Sequence, residues 1–499
     1  MIKSEKIDLA ILFLTSLLLS IYLFFRTYVI SLDGAFQFIP MAKMFASGLI
    51  KQAIAYGGQQ PLYSLFISLL SKWVSDFEVA GKLVSTLFGI LIIFPIYSLG
   101  KRMFDRKIAF LATLLLVLHP YFRRFSADVL KDSTYLFFFA TAIWFSWRTM
   151  EGEKRYPYLF VPLFSAMAYL VRPDGIEVLF VVFFYLFFIK KFVPPQRRWI
   201  PIFFLILSAG ILFTPYLLHL RETAGEWALG KTKTLGMILG WGRMGGDLPF
   251  YERVLYSLKT LNLKIIRTFH PFYLLLLIFG LWKKRCLGLK TGEKFLISLG
   301  ALHYVILFLL VLNLTDWRQD EAVVGAYFSG RHVLPLVIVT IYWAGEGFSE
   351  ISCWISKKMA SRINAERRSF VVWSILFVLV FAVILPKTLK PQRYERLTEK
   401  WAGIWIKNQS GKGLTILTTV PRVAYYAGAN YEYVDLRKDS LDKIKTVMTE
   451  KDALYLVIRE RDAVEHAGRV ETMSRDFALV MDYEVKGMEG IIVFRKAVH

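Results

Sequence analysis

Two acids and a set of cations stand where long apolar sequence is interrupted. Asp33 follows the first apolar segment, in Ser31-Leu32-Asp33-Gly34-Ala35-Phe36. An acid at the mouth of a membrane span is costly unless it is solvated, paired or functional. Asp132 heads a later apolar stretch, and Arg123, Arg124, Asp128 and Lys131 precede it. Arg331 lies in Ser329-Gly330-Arg331-His332, where apolar sequence resumes. A positioned carboxylate takes the proton of an incoming hydroxyl. Arginine's planar fork binds two phosphate oxygens and stays charged. Gln60, before an apolar segment opening Pro61-Leu62-Tyr63, adds a neutral hydrogen-bonding group. Together these residues point to an enzyme at the outer surface of a membrane, acting on a lipid-borne substrate.

The elements that must hold them are membrane spans. The 499-residue chain is 56% hydrophobic and 16% aromatic, with mean hydropathy +0.46. Apolar stretches of about 18 to 22 residues recur, long enough to cross a hydrocarbon core of about 30 Å. Candidates are 8–29, 79–100, 108–120, 133–150, 157–171, 176–190, 199–219, 269–282, 295–313, 332–348 and 370–386, about eleven in all. The 157–190 region also reads as one re-entrant pair. Residues 8–29 lack a small-residue cleavage site, so they read as an anchor and not a signal peptide.

Basic residues set the expected orientation. Lys3 and Lys6 precede the first span. Lys101-Arg102 with Arg106-Lys107, Lys154-Arg155, Lys190-Lys191 with Arg197-Arg198, Lys283-Lys284-Arg285, and Lys357-Lys358 with Arg362, Arg367 and Arg368 mark every second connection as cytoplasmic. The net charge of +23 is therefore mostly topology, and nucleic acid is not expected as a partner. Cys286 and Cys353 fall in cytoplasmic connections, which suits reduced thiols. The expected location is the plasma or inner membrane, crossed many times, with the N-terminus cytoplasmic.

The remaining connections fall outside. Residues 31–78 form a first outer loop in which Pro61–Val74, too short to span, suits an interfacial helix. Val171-Arg172-Pro173-Asp174-Gly175 reads as a tight turn fixed by an Arg172–Asp174 ion pair. Gly236–Gly246 reads as a mobile loop. Residues 1–386 are expected as the membrane domain and 387–499 as a small extracytoplasmic α/β domain. In the latter, 414–419, 453–459 and 490–495 read as buried strands, and 441–451 as a helix capped by Asp439 or Ser440. There is no Walker-type loop and no Cys-rich metal spacing. His119, His270 and His332 are scattered, and none reads as a metal ligand.

Several short motifs carry a resemblance. The stretch from Asp33 to Leu70, with its Gln60-Pro61-Leu62-Tyr63 segment, resembles the first loop of GT-C glycosyltransferases of family 39, the protein mannosyltransferase and aminoarabinose transferase group. Met103-Phe104-Asp105-Arg106 before Ile108–Leu118 resembles the family's next cytoplasmic turn and span. Gly330-Arg331-His332-Val333-Leu334-Pro335 resembles its Arg-Tyr-x-x-Pro element. Ala424-Tyr425-Tyr426-Ala427-Gly428 resembles a recurrent piece of its outer domain. The resemblance implies a polytopic α-helical GT-C fold of about eleven transmembrane helices with a small extracytoplasmic α/β domain. It implies inverting transfer of a sugar from a polyprenyl-phosphate donor to an acceptor hydroxyl on a lipid, glycan or protein.

Under that resemblance Asp33 matches the first-loop catalytic acid and Asp132 the acid at the head of the fourth span. Two departures stand out. Gly34 follows Asp33 where the family often has Glu, and Gln60 stands where aminoarabinose transferases have a phosphate-binding Lys. The residues themselves leave alternatives open. Asp33 is either the base or a helix cap. Asp132 either orients the acceptor or a cation, or caps its span. Arg331 holds the donor phosphate or snorkels. Arg123, Arg124 and Lys131 hold phosphate or anchor head groups. Gln60 hydrogen-bonds within the site. No cofactor is required, and a divalent cation stays open. The competing classes are a lipid-linked sugar flippase and a non-catalytic envelope-glycan assembly protein. Acids at outer span ends and the lack of an internal repeat favour the enzyme.

Overall fold

The computed structural model describes residues 2–153, 156–189, 195–225, 227–230, 233–234, 249–314, 316–318, 321–323, 328–358, 365–411, 413–436, 438–466 and 477–496. Gly236–Gly246, expected as a mobile loop, lies outside them, as does much of the connection before Arg331. Two compact units emerge. One comprises Met1–Phe24 and Met41–Lys390, the other Phe25–Pro40 and Pro391–His499. The second unit therefore takes in Asp33, which the sequence division at 386/387 had assigned to the membrane domain.

The first unit is a helix bundle. Five of its described helices are long and apolar enough to cross a membrane: Ser4–Arg26, Phe77–Met103, Trp199–Thr223, Thr291–Asn313 and Val371–Thr388. Two bent pairs, Arg106–Leu118 with Pro120–Ser126 and Phe250–Phe269 with Pro271–Arg285, raise the number to seven. About eleven were expected. The remaining four stretches form Asp132–Met150, Pro157–Tyr169, Glu177–Phe188 and Gly330–Lys358. Two of these are only 13 and 12 residues long. The other two carry buried polar side chains such as Ser133, Thr134, Ser146 and Ser352, which a helix enclosed by other helices tolerates.

Local chemistry sets the helix ends. Asp76 accepts from Glu78 N and Val79 N, and Asp105 from Ile108 N, so each caps a helix start. Arg106, next to that cap, forks onto both carboxylate oxygens of Asp8 at 2.6 and 2.8 Å. His119-Pro120 and His270-Pro271 break the two bent pairs, at 62° and 98°. Proline cannot donate into the preceding turn but fits the first turn of the next helix. Helices Pro271–Leu287 and Gly330–Lys358 cross backbone to backbone. A Cβ on Gly280 would sit 1.9 Å from Trp343 O, and one on Gly347 1.9 Å from Leu276 O. Small residues at a crossing permit this approach. Pro61–Val74, expected to lie in the interface, yields the helix Leu62–Leu70, which buries Tyr63, Ser64, Ile67 and Ser68.

The second unit is built on a five-stranded sheet: β1 (Thr415–Thr418), β2 (Asn430–Tyr433), β3 (Ala453–Arg459), β4 (Phe477–Tyr483) and β5 (Ile491–Lys496). Their order is β2-β1-β3-β5-β4, with the first three parallel and the last two antiparallel additions. Alternation divides the core. Leu417, Leu456 and Ile458 pack with Ile444 and Met448 of the helix Leu441–Glu450 on one face. Ile416, Tyr455 and Val457 pack with Ala402, Ile406, Val423 and Ala424 on the other. Of the two expected caps, Ser440 is the one used: its Oγ accepts from Lys443 N.

Candidate functional site

In the bundle the Asp132–Met150 helix begins at a fully buried carboxylate. Asp132 Oδ1 accepts from Arg172 Nη1 at 3.1 Å. Arg172 Nη2 donates to Asp174 Oδ2 at 2.5 Å, and Nη1 also reaches the carbonyl of Arg331 at 3.1 Å. The guanidinium carbon stands 4.7 Å from the Tyr135 ring centre. The expected Arg172–Asp174 pair is present, but it is one edge of a wider cluster. Its turn, Pro173–Ile176, folds back on the preceding helix so closely that a Cβ on Gly175 would lie 2.3 Å from Tyr169 N. Only glycine fits there.

The electrostatics of this cluster are lopsided. Burial alone would favour a neutral Arg172. The carboxylates of Asp174 and Asp132 outweigh that and hold its proton more firmly than usual. One cation thus faces two carboxylates. Asp132 Oδ2 is buried and makes no hydrogen bond to a described residue. A buried carboxylate oxygen in that condition calls for a donor or cation from elsewhere. A hydroxyl fits that need. A divalent cation would find the same oxygen, but among the described residues no three His, Cys, Asp or Glu side chains converge to hold one.

A second buried pair supports the same region. His303 Nδ1 lies 2.8 Å from Glu177 Oε2, and His303 Nε2 lies 2.8 Å from the carbonyl of His332. A carbonyl only accepts, so Nε2 carries a hydrogen and Nδ1 shares a proton with Glu177. The Arg331 and His332 carbonyls, consecutive at the start of Gly330–Lys358, are thus each held by a buried side chain. The Arg331 side chain itself is half-buried.

The remaining bundle candidates have distinct surroundings. Lys131 donates to Gln59 Oε1, and Tyr216 donates to Gln60 Oε1. Gln60 is buried at 2% exposure, with its side-chain oxygen taken by Tyr216. Arg124 is exposed. Arg123 was expected in an outer loop as a phosphate or head-group contact. The structure instead encloses it completely, with Nε on the Val117 carbonyl, Nη1 on Ser20 Oγ and Nη2 on Ser16 Oγ. These bonds tie the first helix to the bend at His119-Pro120 and account for the residue structurally.

Asp33 sits in the second unit, at the start of a π-helical turn, Gly34–Phe38. Such turns are rare and recur at functional sites. The capping alternative for Asp33 fails, because its side chain makes no capping bond. Ser31 does that work: Gly34 N donates to its Oγ and Ala35 N to its carbonyl, both at 3.0 Å.

Sequence reasoning passed over Tyr135, Glu177, His303 and Tyr216. Glu177 and His303 are embedded in apolar stretches and pair across 126 positions. A signal existed in each case, since an ionisable side chain inside a span needs a partner.

Residues 58–219 match the family model of Dolichyl-phosphate-mannose-protein mannosyltransferase. That range contains Gln60, Arg123, Arg124, Lys131, Asp132 and Arg172, but not Asp33 or Arg331. No curated protein sequence matches the chain. Among solved structures, ArnT from Cupriavidus metallidurans bound to undecaprenyl phosphate superposes with a TM-score of 0.55 at 12% identity, over 97% of each chain. The archaeal oligosaccharyltransferase AglB from Archaeoglobus fulgidus, in complex with an inhibitory peptide and a dolichol-phosphate, gives 0.58 at 10% identity, over 99% of this chain and 74% of that one. The arabinofuranosyltransferase AftD from mycobacteria gives 0.52 at 12% identity, over 98% of this chain and 41% of that one. Residues 58–219 thus resemble that mannosyltransferase family, and the chain as a whole shares the GT-C fold of these solved membrane proteins.

Proposed function

We propose that the protein moves a sugar from a polyprenyl-phosphate carrier to an acceptor hydroxyl on the outer membrane face, with inversion at the anomeric carbon. The acceptor oxygen attacks that carbon opposite the phosphate. Asp33 removes the hydroxyl proton. The carbon–oxygen bond to the phosphate breaks, and the polyprenyl phosphate leaves with the electron pair. Arg331 holds the departing phosphate oxygens, where a charge-assisted fork gives most as negative charge develops. Asp132 Oδ2 orients the acceptor. The N-terminus is cytoplasmic in this reading, and the unit containing 391–499 is outside.

The observation that carries the reading is the π-helical turn Gly34–Phe38 that opens at Asp33, where Ser31 and not Asp33 supplies the capping bond. The polyprenyl phosphates bound to ArnT and AglB support the donor class. The test is Asp33→Asn in reconstituted vesicles, with lipid-linked sugars extracted from the source membranes as donor. Release of polyprenyl phosphate should fall by about 100-fold or more, the scale of a lost general base. Thermal stability should be unchanged. Wild-type release would eliminate Asp33 as base. Movement of the intact lipid-linked sugar across the vesicle, without release, would establish a flippase instead.

A further inference from the structure

The segment leading to Asp33 is gripped by side chains from the far end of the chain. Tyr426 Oη accepts from Ile30 N at 2.9 Å. Arg393 Nε donates to the Val29 carbonyl at 2.8 Å. Lys400 Nζ reaches the Tyr28 carbonyl at 3.5 Å and stands 5.1 Å over the Tyr426 ring. The rings of Tyr28 and Tyr394 meet at 5.4 Å, and those of Phe36 and Tyr431 at 5.0 Å. The backbone before Asp33 and the Phe36 ring after it are therefore held within one compact unit.

The Tyr426 contact is the most specific of these. Ile30 is fully buried, so its N–H requires an acceptor inside the protein, and the Tyr426 hydroxyl supplies it. In the helix Pro421–Ala427 the Tyr426 stem packs near Gly403 while its hydroxyl reaches out of the helix. Val423, Ala424 and Ala427 fill the core, and Tyr426 is only half-buried. Its hydroxyl is committed to a backbone amide three residues before the acid.

We propose that Tyr426 is a positioning residue for Asp33, and that the soluble unit serves the reaction by setting the posture of the acid through this bond, supported by Arg393 and Lys400. The proposal rests on the reading of Asp33 as base. Proton removal in a transition state is sensitive to small displacements of the base. A loosened segment should therefore slow turnover without weakening capture of the carrier lipid.

The test uses the full chain in nanodiscs. Tyr426→Phe deletes the acceptor hydroxyl and keeps the ring. Tyr433→Phe, at a position 61% exposed, is the control. Hydrogen exchange at the Ile30 amide should rise about tenfold in Tyr426→Phe, the scale of one lost hydrogen bond to a buried donor, while the β1 peptide stays protected. Turnover with extracted lipid-linked sugars should fall about tenfold, with KM for the donor and binding of undecaprenyl phosphate unchanged. Unchanged Ile30 exchange refutes the grip. Faster exchange with wild-type turnover refutes positioning. Wild-type turnover by Asp33→Asn, run alongside, removes the base reading and leaves the Ile30 exchange result standing by itself.

Discussion

The Arg172 cluster and the Asp33 segment are held by opposite means. Around Arg172, charged side chains bond mainly to charged side chains in the buried interior of the bundle, one cation against two carboxylates. Around Asp33, side chains bond to backbone: Tyr426, Arg393 and Lys400 each take one peptide group of Ile30, Val29 or Tyr28. The first arrangement is all-or-none, because any deletion strands a buried charge. The second is graded, because each bond is modest and the others remain. Tolerance to substitution should follow that division.

Arg172→Met would break the comparison most severely. It leaves Asp132 and Asp174 buried without their cation, a loss of about 3–5 kcal/mol. The expected result is a large fall in melting temperature or failure to recover folded protein. Arg172→Met combined with Asp174→Asn should recover part of the loss. A single variant as stable as wild type would show that the carboxylates have other partners and that the cluster is not all-or-none.

Arg331 sharpens the contrast, since its carbonyl belongs to the buried cluster and its side chain is assigned to phosphate. Arg331→Ala should weaken undecaprenyl phosphate binding by about 1.5–3 kcal/mol, and Arg331→Lys by less, because lysine keeps charge but loses the fork. A neutral polyprenol should bind both variants as it binds wild type. Equal loss of both lipids would mean that the side chain serves the fold.

The smallest effect belongs to the surface of the second unit. A hydrogen bond from Lys443, then one from Asp435 N, holds the Asp439 carboxyl below its usual range. A lowered folded value stabilises above the ordinary aspartate range near pH 3.9 and is lost as pH falls through the folded value. Lys443 is 64% exposed, so the contribution should be at most about 0.5 kcal/mol. Denaturant titrations of wild type and Asp439→Asn at pH 7 and pH 3 measure it. The gap between them should be present at pH 7 and shrink at pH 3.

What was legible in the sequence follows the range of each interaction. β1, β3 and β5 announce themselves because both of their faces are buried. β2, Asn430–Tyr433, is a polar edge strand with no apolar run, and β4, Phe477–Tyr483, is an edge strand whose Phe477–Met481 run is only partly buried. The Arg172–Asp174 pair, two residues apart, was readable. Its continuation to Asp132, 40 positions away, and to the Arg331 carbonyl, 159 away, was not. Asp33 stood out as an acid after a span. Its membership in the C-terminal unit depends on contacts such as Ile30 with Tyr426, which no local pattern encodes.

That separation of 396 residues between Ile30 and Tyr426 has a consequence for how the protein is made. The segment bearing Asp33 leaves the ribosome near the beginning of synthesis, and the side chains that grip it near the end. Every helix of the bundle after the first is synthesised in between. A chain halted anywhere before Tyr426 carries the acid but not the hydroxyl that seats it. On the reading of Tyr426 as a positioning residue, the order of translation leaves the seating of Asp33 to a late-made part of the chain.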